Sequence, residues 1–126
     1  MINGPMPYHA STLLIVSTDS PTATLLGAFA EVEGYNVQIH DDLRETPEDA
    51  IRRARPHLIL IDIDHPDGFA PVFLRELQRE GIPAVAFSPG RLTSEVLERA
   101  QPYGLPTITL PIDPGAFAAV LRRARG

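Results

Sequence analysis

Short apolar runs alternate along this chain with longer segments in which apolar residues recur at every third or fourth position. Three runs, at residues 13–16, 58–61 and 84–87, are continuously apolar, a pattern typical of strands buried on both faces of a sheet. Two further segments, at residues 35–40 and 107–110, alternate apolar and polar side chains, as half-buried edge strands do. The pattern therefore predicts five strands, two of them at the edges of a sheet.

A helix is predicted after each strand, and the ends of several helices carry recognisable signals. Pro47 follows Thr46 and precedes two acidic residues, as in the first turn of a helix, whereas Gly34 and Gly81 supply C-terminal stops. Alternating strands and helices predict an α/β fold with a parallel sheet, right-handed crossovers and helices on both faces. With the apolar strands in the centre, this is the flavodoxin-like (βα)5 architecture, a doubly wound sheet with strand order 2-1-3-4-5.

Length and composition fit one domain. The chain has 126 residues, of which 44% are hydrophobic and 21% charged, so it can bury a single core. We expect a loose tail at residues 1–10 and one domain over residues 11–126. The chain begins without the basic and apolar stretches of an export signal, and no apolar run approaches the roughly 20 residues of a membrane span. A cytoplasmic protein is therefore expected.

The composition excludes several kinds of chemistry. The chain has no cysteine, which excludes disulfides, thiolate metal sites and cysteine nucleophiles. All 11 positively charged residues are arginines, so no mechanism that needs a lysine can operate. The formal net charge of -5 argues against a nucleic-acid-binding surface, because such surfaces carry a basic stripe.

Polar side chains follow the carboxyl ends of the first, third and fourth predicted strands. In this fold class, ligands bind outside the carboxyl ends of strands one and three, where the strand order reverses. The predicted site collects Ser17, Thr18, Asp19, Asp62, Asp64, His65 and Ser88. Without cysteine, any metal bound there must be held by oxygen or histidine ligands. His40, Asp41 and Asp42, which follow the second strand at the edge of the sheet, are expected to form a solvated loop.

From about residue 12 to residue 125 the chain resembles the receiver domain of two-component response regulators. Residues 56–68 resemble the family's strand-three motif, in which an aspartate accepts a phosphoryl group and a Pro-x-Gly turn follows. The resemblance places Asp62 at the acceptor position, Ser88 at the hydroxyl residue that ends strand four, and Leu110-Pro111 at the family's Lys-Pro. Because the family's bond before that proline is usually cis, a cis Leu110–Pro111 bond is also predicted.

The chain departs from the receiver pattern at the positions where the family binds its metal and its phosphoryl group. The two acidic residues that bind a divalent cation in the family are replaced by Ser17 and Thr18, and Asp19 lies one position too late. The family's lysine is replaced by Leu110, and its aromatic switch residue by Thr107. Phosphoryl transfer to a carboxylate depends on cations that neutralise the anionic reactants. The resemblance therefore implies a degenerate phosphorylation site.

These residues favour an atypical receiver, a pseudo-receiver that acts in signal transduction by protein–protein association and is not an enzyme. No catalytic residue, metal or cofactor is expected. The resemblance suggests association through the face formed by the fourth helix, the fifth strand and the fifth helix, with a homodimer as the hypothesis. Contact with nucleic acid or a membrane is not expected. The sequence leaves open which partner binds and whether an output domain follows Gly126.

Two alternatives stay open. In the first, the chain is a working phosphorelay receiver that a histidine kinase phosphorylates on Asp62, with Mg²⁺ held by Asp19, Asp62 or Asp64 and with His65 as a cation at low pH. In the second, residues 62–64 resemble the Asp-x-Asp motif of haloacid-dehalogenase-type phosphatases. That motif lies on the first strand of its own family, which also uses a lysine that this chain lacks.

Overall fold

Four parallel strands form the sheet of this computed structural model, which describes residues 11–42 and 44–125. The strands are β1 (Thr12–Val16), β2 (Asn36–His40), β3 (Leu58–Asp62) and β4 (Ala84–Phe87). They lie in the order β2-β1-β3-β4, which confirms the predicted α/β class and the first four positions of the predicted strand order. The predicted tail at residues 1–10 lies outside the described residues.

Helices connect the strands and cover both faces of the sheet. They are α1 (Ser20–Val32), α2 (Pro47–Ala54), α3 (Pro71–Glu80), α4 (Thr93–Ala100), which runs into a 3₁₀ turn (Gln101–Tyr103), and α5 (Pro114–Arg125). Helices α2, α3 and α5 each begin with a proline, whose fixed backbone angle suits the first helical position. Within the described ranges, no helix combines the length and the apolar character that crossing a membrane requires.

The sheet separates two apolar layers. On one face, Leu13, Ile15 and Leu60 pack with buried residues of α1 and α5, including Phe117. On the other face, alternate residues of β1 and β3 pack against α2 and α3, where Phe73 is 1% exposed. Both faces of β1 and β3 are therefore buried, which explains why these strands are continuously apolar in sequence.

The predicted fifth strand, at residues 107–110, is reduced to one parallel bridge between Ala86 and Thr107. The Ala86 amide donates to the carbonyl oxygen of Pro106 at 2.9 Å, and the Ile108 amide donates to that of Ala86 at 2.8 Å. Pro106 faces β4 and has no amide to donate, so the ladder does not extend beyond the bridge in that direction. The segment keeps the predicted edge position, and the predicted cis Leu110–Pro111 bond is confirmed.

Strand register brings the ends of three strands to one edge of the sheet. Val16 lies opposite His40 on one side and Ile61 on the other, and Asp62 lies opposite Phe87. The residues that follow β1, β3 and β4 therefore meet at the carboxyl edge, where the sequence predicts the site.

Candidate functional site

Asp62 ends β3 and points its carboxyl group into the protein, where the residue is 4% exposed. Its Oδ2 accepts a hydrogen bond from the Ser17 hydroxyl at 3.0 Å, and its Oδ1 accepts one from the Asp64 amide at 2.9 Å. Burial is the largest cause that raises the pKa of Asp62 above its usual value, and the neighbouring carboxylates of Asp64 and Asp19 raise it further. The two hydrogen bonds act in the opposite direction and lower the pKa. The net direction is upward, so the fold favours the neutral carboxyl group more than water does.

Ser17 and Thr18 occupy the first two positions after β1 but have different surroundings. Ser17 is fully buried; its hydroxyl donates to Asp62 and accepts from the Asp19 amide at 3.1 Å. Thr18 is exposed. Asp19 precedes α1, and its carboxylate accepts a hydrogen bond from the Thr22 hydroxyl at 2.7 Å. Of these residues, Ser17 is the one that holds the acceptor-position carboxylate.

Asp64 is held by groups from the loop that follows β4. The Ser88 hydroxyl donates to Asp64 Oδ2 at 3.0 Å, and the Arg91 guanidinium donates from Nε to Oδ1 at 2.9 Å. Arg91 also lies 3.6 Å from the Glu95 carboxylate on α4. The structure thus brings Ser88 to Asp64, and it adds Arg91, which sequence reasoning missed. The spacing of Arg91 and Glu95 indicates a helical ion pair, but nothing local points to a partner 27 residues away.

Thr107 and Leu110 lie on the segment beside β4. Thr107 is half-buried and forms the bridge to Ala86. Leu110 packs against the apolar layer that contains Phe117. The position at which the resemblance expects a lysine therefore contributes an apolar contact.

His65 is buried beneath the turn that follows Asp62. Its Nδ1 accepts hydrogen bonds from the amides of Asp67 at 3.2 Å and Gly68 at 2.8 Å. Burial lowers the pKa of His65, and the neighbouring His40 lowers it further. His40 itself is 1% exposed, so the prediction that it begins a solvated loop is wrong. The ring centroids of the two histidines are 5.3 Å apart.

A divalent cation does not fit the described site. Within residues 11–42 and 44–125, no three His, Asp or Glu side chains are arranged to ligate one ion. Asp19, Asp62 and Asp64 each accept hydrogen bonds from protein groups, and Asp64 is also paired with Arg91. Mg²⁺ needs several oxygen ligands at one point, and these carboxylates do not supply them.

No protein-family model matches the chain, and no curated protein matches it. Solved structures do share its fold. Chemotaxis protein CheY4 of Vibrio cholerae is 18% identical, with a TM-score of 0.71 over 92% of this chain and 99% of that chain. The receiver domain of NtrX from Brucella abortus is 24% identical, with a TM-score of 0.73 over 90% and 97% of the respective chains.

A CheY-like response regulator receiver domain protein from Methanospirillum hungatei JF-1 is 21% identical, with a TM-score of 0.68 over 91% of this chain and 93% of that chain. The chain also matches a longer NtrX structure from Brucella abortus, of which it spans 27%. The structural neighbours are thus CheY-like receiver domains, and the likeness at these identities is one of fold.

Proposed function

We propose that this chain is an atypical receiver domain that acts in signal transduction through protein–protein association, without accepting a phosphoryl group. The observation that carries the proposal is the state of the Asp62 carboxyl group. It is buried, both oxygens accept hydrogen bonds from the protein, and its pKa is raised. A phosphoryl acceptor must instead be an ionised nucleophile that is open to its donor.

The charges around Asp62 support the same proposal. Transfer to a carboxylate brings together two anions, so a cation has to neutralise the developing charge. Among the described residues, the groups that donate to the carboxyl oxygens of Asp62 are the neutral Ser17 hydroxyl and the Asp64 amide. Arg91, a cation at this edge, is engaged by Asp64 and Glu95, and Arg99 donates to the carbonyl oxygen of Ile63 at 3.3 Å. The site therefore resembles a closed hydrogen-bonded cluster more than a reaction centre.

The association surface in this proposal is the face formed by α4, the 107–110 segment and α5. Leu92 and Leu97 are 71% and 50% exposed on and beside α4, where apolar side chains gain from being covered. The 107–110 segment has a single bridge to β4 on its inner side, so its outer backbone groups face away from the sheet. The proposal is a homodimer through this face, in the cytoplasm and without enzymatic activity.

Intact mass spectrometry tests whether Asp62 accepts a phosphoryl group. The protein and an Asp62→Asn control are incubated with a small phosphoryl donor and Mg²⁺, beside an ordinary receiver domain that labels under the same conditions. We expect the ordinary receiver to gain a phosphate-sized mass and both forms of this chain to stay unchanged. An adduct that forms on the wild type and disappears in Asp62→Asn would overturn the proposal and establish a working phosphorelay receiver, whose kinase would then be sought.

A further inference from the structure

Two buried histidines each have one ring nitrogen that finds no hydrogen-bond partner among residues 11–42 and 44–125. His40 and His65 are 1% and 3% exposed, and the nitrogens concerned are His40 Nδ1 and His65 Nε2. A buried polar atom that makes no hydrogen bond costs folding free energy, so such atoms are rare. Two of them on adjacent rings call for a common explanation.

The hydrogen bonds of His65 determine where its proton lies. Nδ1 accepts from two backbone amides, those of Asp67 and Gly68. A ring nitrogen that accepts carries no hydrogen, so a neutral imidazole must carry its hydrogen on Nε2. The atom of His65 without a partner is therefore a donor.

In His40 the bonded nitrogen is a donor and the nitrogen without a partner is the other one, Nδ1. Its Nε2 lies 2.6 Å from the backbone carbonyl oxygen of Glu45, which can only accept a hydrogen bond. Nε2 therefore carries the hydrogen, and the Nδ1 of a neutral His40 presents a lone pair. The atom of His40 without a partner is therefore an acceptor.

We propose that His65 directs its Nε2 hydrogen to the unprotonated Nδ1 of His40 through one buried water molecule, because the two nitrogens make no direct hydrogen bond. The ring centroids lie 5.3 Å apart and the rings are tilted by 54°, so the unpaired donor and the unpaired acceptor belong to neighbouring groups. The pairing satisfies both atoms at once. It does not depend on whether Asp62 accepts a phosphoryl group, and so stands apart from the proposed function.

The pair joins two segments that are distant in sequence. His40 ends β2 and holds the backbone of Glu45 in the segment before α2. His65 holds the turn that follows Asp62 through Asp67 and Gly68, and its own amide donates to the Asp62 carbonyl at 3.0 Å. A partner that moves the 41–45 segment would therefore shift the turn beside Asp62 through these two rings. Both histidines act as positioning residues.

Nitrogen-15 NMR on the wild-type protein tests the proton positions. Long-range proton–nitrogen correlations distinguish a ring nitrogen that carries hydrogen from one that does not. At neutral pH we expect the Nε2-protonated form for both His40 and His65. His57, which is exposed and whose Nδ1 accepts the Thr12 amide at 3.0 Å, provides a reference signal within the same spectrum. A hydrogen on Nδ1 of either neutral buried histidine would overturn the proposal.

A double-mutant cycle tests the coupling. His65→Asn keeps an acceptor for the Asp67 and Gly68 amides but removes the donor towards His40, and His40→Gln keeps a donor for the Glu45 carbonyl but removes the acceptor. If the atoms pair, the folding equilibrium constant of the double variant should exceed the product expected from the single variants by about tenfold.

His57→Asn combined with His65→Asn is the control, since those residues lie at opposite ends of β3 and should act additively. Additive effects in both cycles would overturn the coupling. If a variant does not fold, the resonance of the His65 Nε2 hydrogen in the wild type decides between the two outcomes. A downfield shift relative to the ring hydrogen of exposed His57 supports a hydrogen bond, and an unshifted resonance overturns it.

Discussion

Asp62 is a carboxyl group at a strand end where the protein disfavours ionisation. Its pKa is raised chiefly by burial, so the folded state binds a proton more readily than the unfolded state does. The resulting contribution to stability is complete at a pH below the ordinary value of 3.8 and is lost as the pH rises through the raised value. At neutral pH the ionised carboxylate therefore lowers the stability of the fold.

An Asp62→Asn variant should consequently be more stable than the wild type at pH 7, by about 1 kcal/mol. The amide removes the buried charge and retains an oxygen for the Asp64 amide. The advantage should shrink as the pH falls towards 4, because the wild-type carboxyl group becomes neutral there as well. Denaturant unfolding at pH 7 and pH 4 measures both values. A variant that is less stable than the wild type at pH 7 would show that the charged form is the one the site favours.

At the scale of an element, the turn from Asp62 to Gly68 depends on a close approach of backbone and side chains. A Cβ at position 68 would lie 2.7 Å from Val16 Cγ1 and 3.1 Å from His65 Nδ1. Both neighbours are buried, so neither can move away freely. Position 68 therefore requires glycine because there is no room for a Cβ atom, and not because the turn needs a left-handed backbone conformation.

Gly68→Ala should destabilise the protein by about 1–3 kcal/mol, because the added methyl group overpacks the space below the turn. The matched control is Gly90→Ala, since a Cβ there would meet nothing within 4 Å. That control should remain within about 0.5 kcal/mol of the wild type. Thermal or denaturant unfolding gives both values, and equal effects of the two substitutions would contradict the packing of the turn described here.

The elements that could be predicted from sequence are those whose signal is local. Hydrophobic period and helix-end residues indicate β1 to β4 and all five helices, and the parallel topology brings Ser17, Asp62 and Ser88 to one edge. The fifth strand is shorter than its alternating pattern predicts, and Pro106, which faces β4, lacks the amide that a longer ladder needs.

The contacts within the site were less predictable. Arg91 reaches Asp64 across 27 residues, and the buried ring of His40 lies next to that of His65, which is distant in sequence. Both follow from side-chain packing in three dimensions, which has no periodic signal in the sequence. The resemblance identified which positions matter, and the structure supplied the partners that these positions have in this chain.

For the whole molecule, the proposal assigns association to the α4 side. Leu97→Glu places a charge on that face without removing a core side chain, since Leu97 is 50% exposed. A homodimer through this face should dissociate at least about tenfold more readily, because a buried unpaired carboxylate is costly. Val72→Glu is the control; Val72 is 68% exposed on α3, which packs in the apolar layer opposite α5. Analytical ultracentrifugation of both variants checks the assignment, which fails if Val72→Glu has the larger effect.

Association of this chain should not depend on a phosphoryl group at Asp62. The most direct measurement is sedimentation equilibrium of the wild type and of Asp62→Asn, each with and without a small phosphoryl donor and Mg²⁺. We expect a dimer with the same dissociation constant in all four samples. A wild-type protein that is monomeric alone, becomes dimeric with the donor, and loses that response in Asp62→Asn would contradict it.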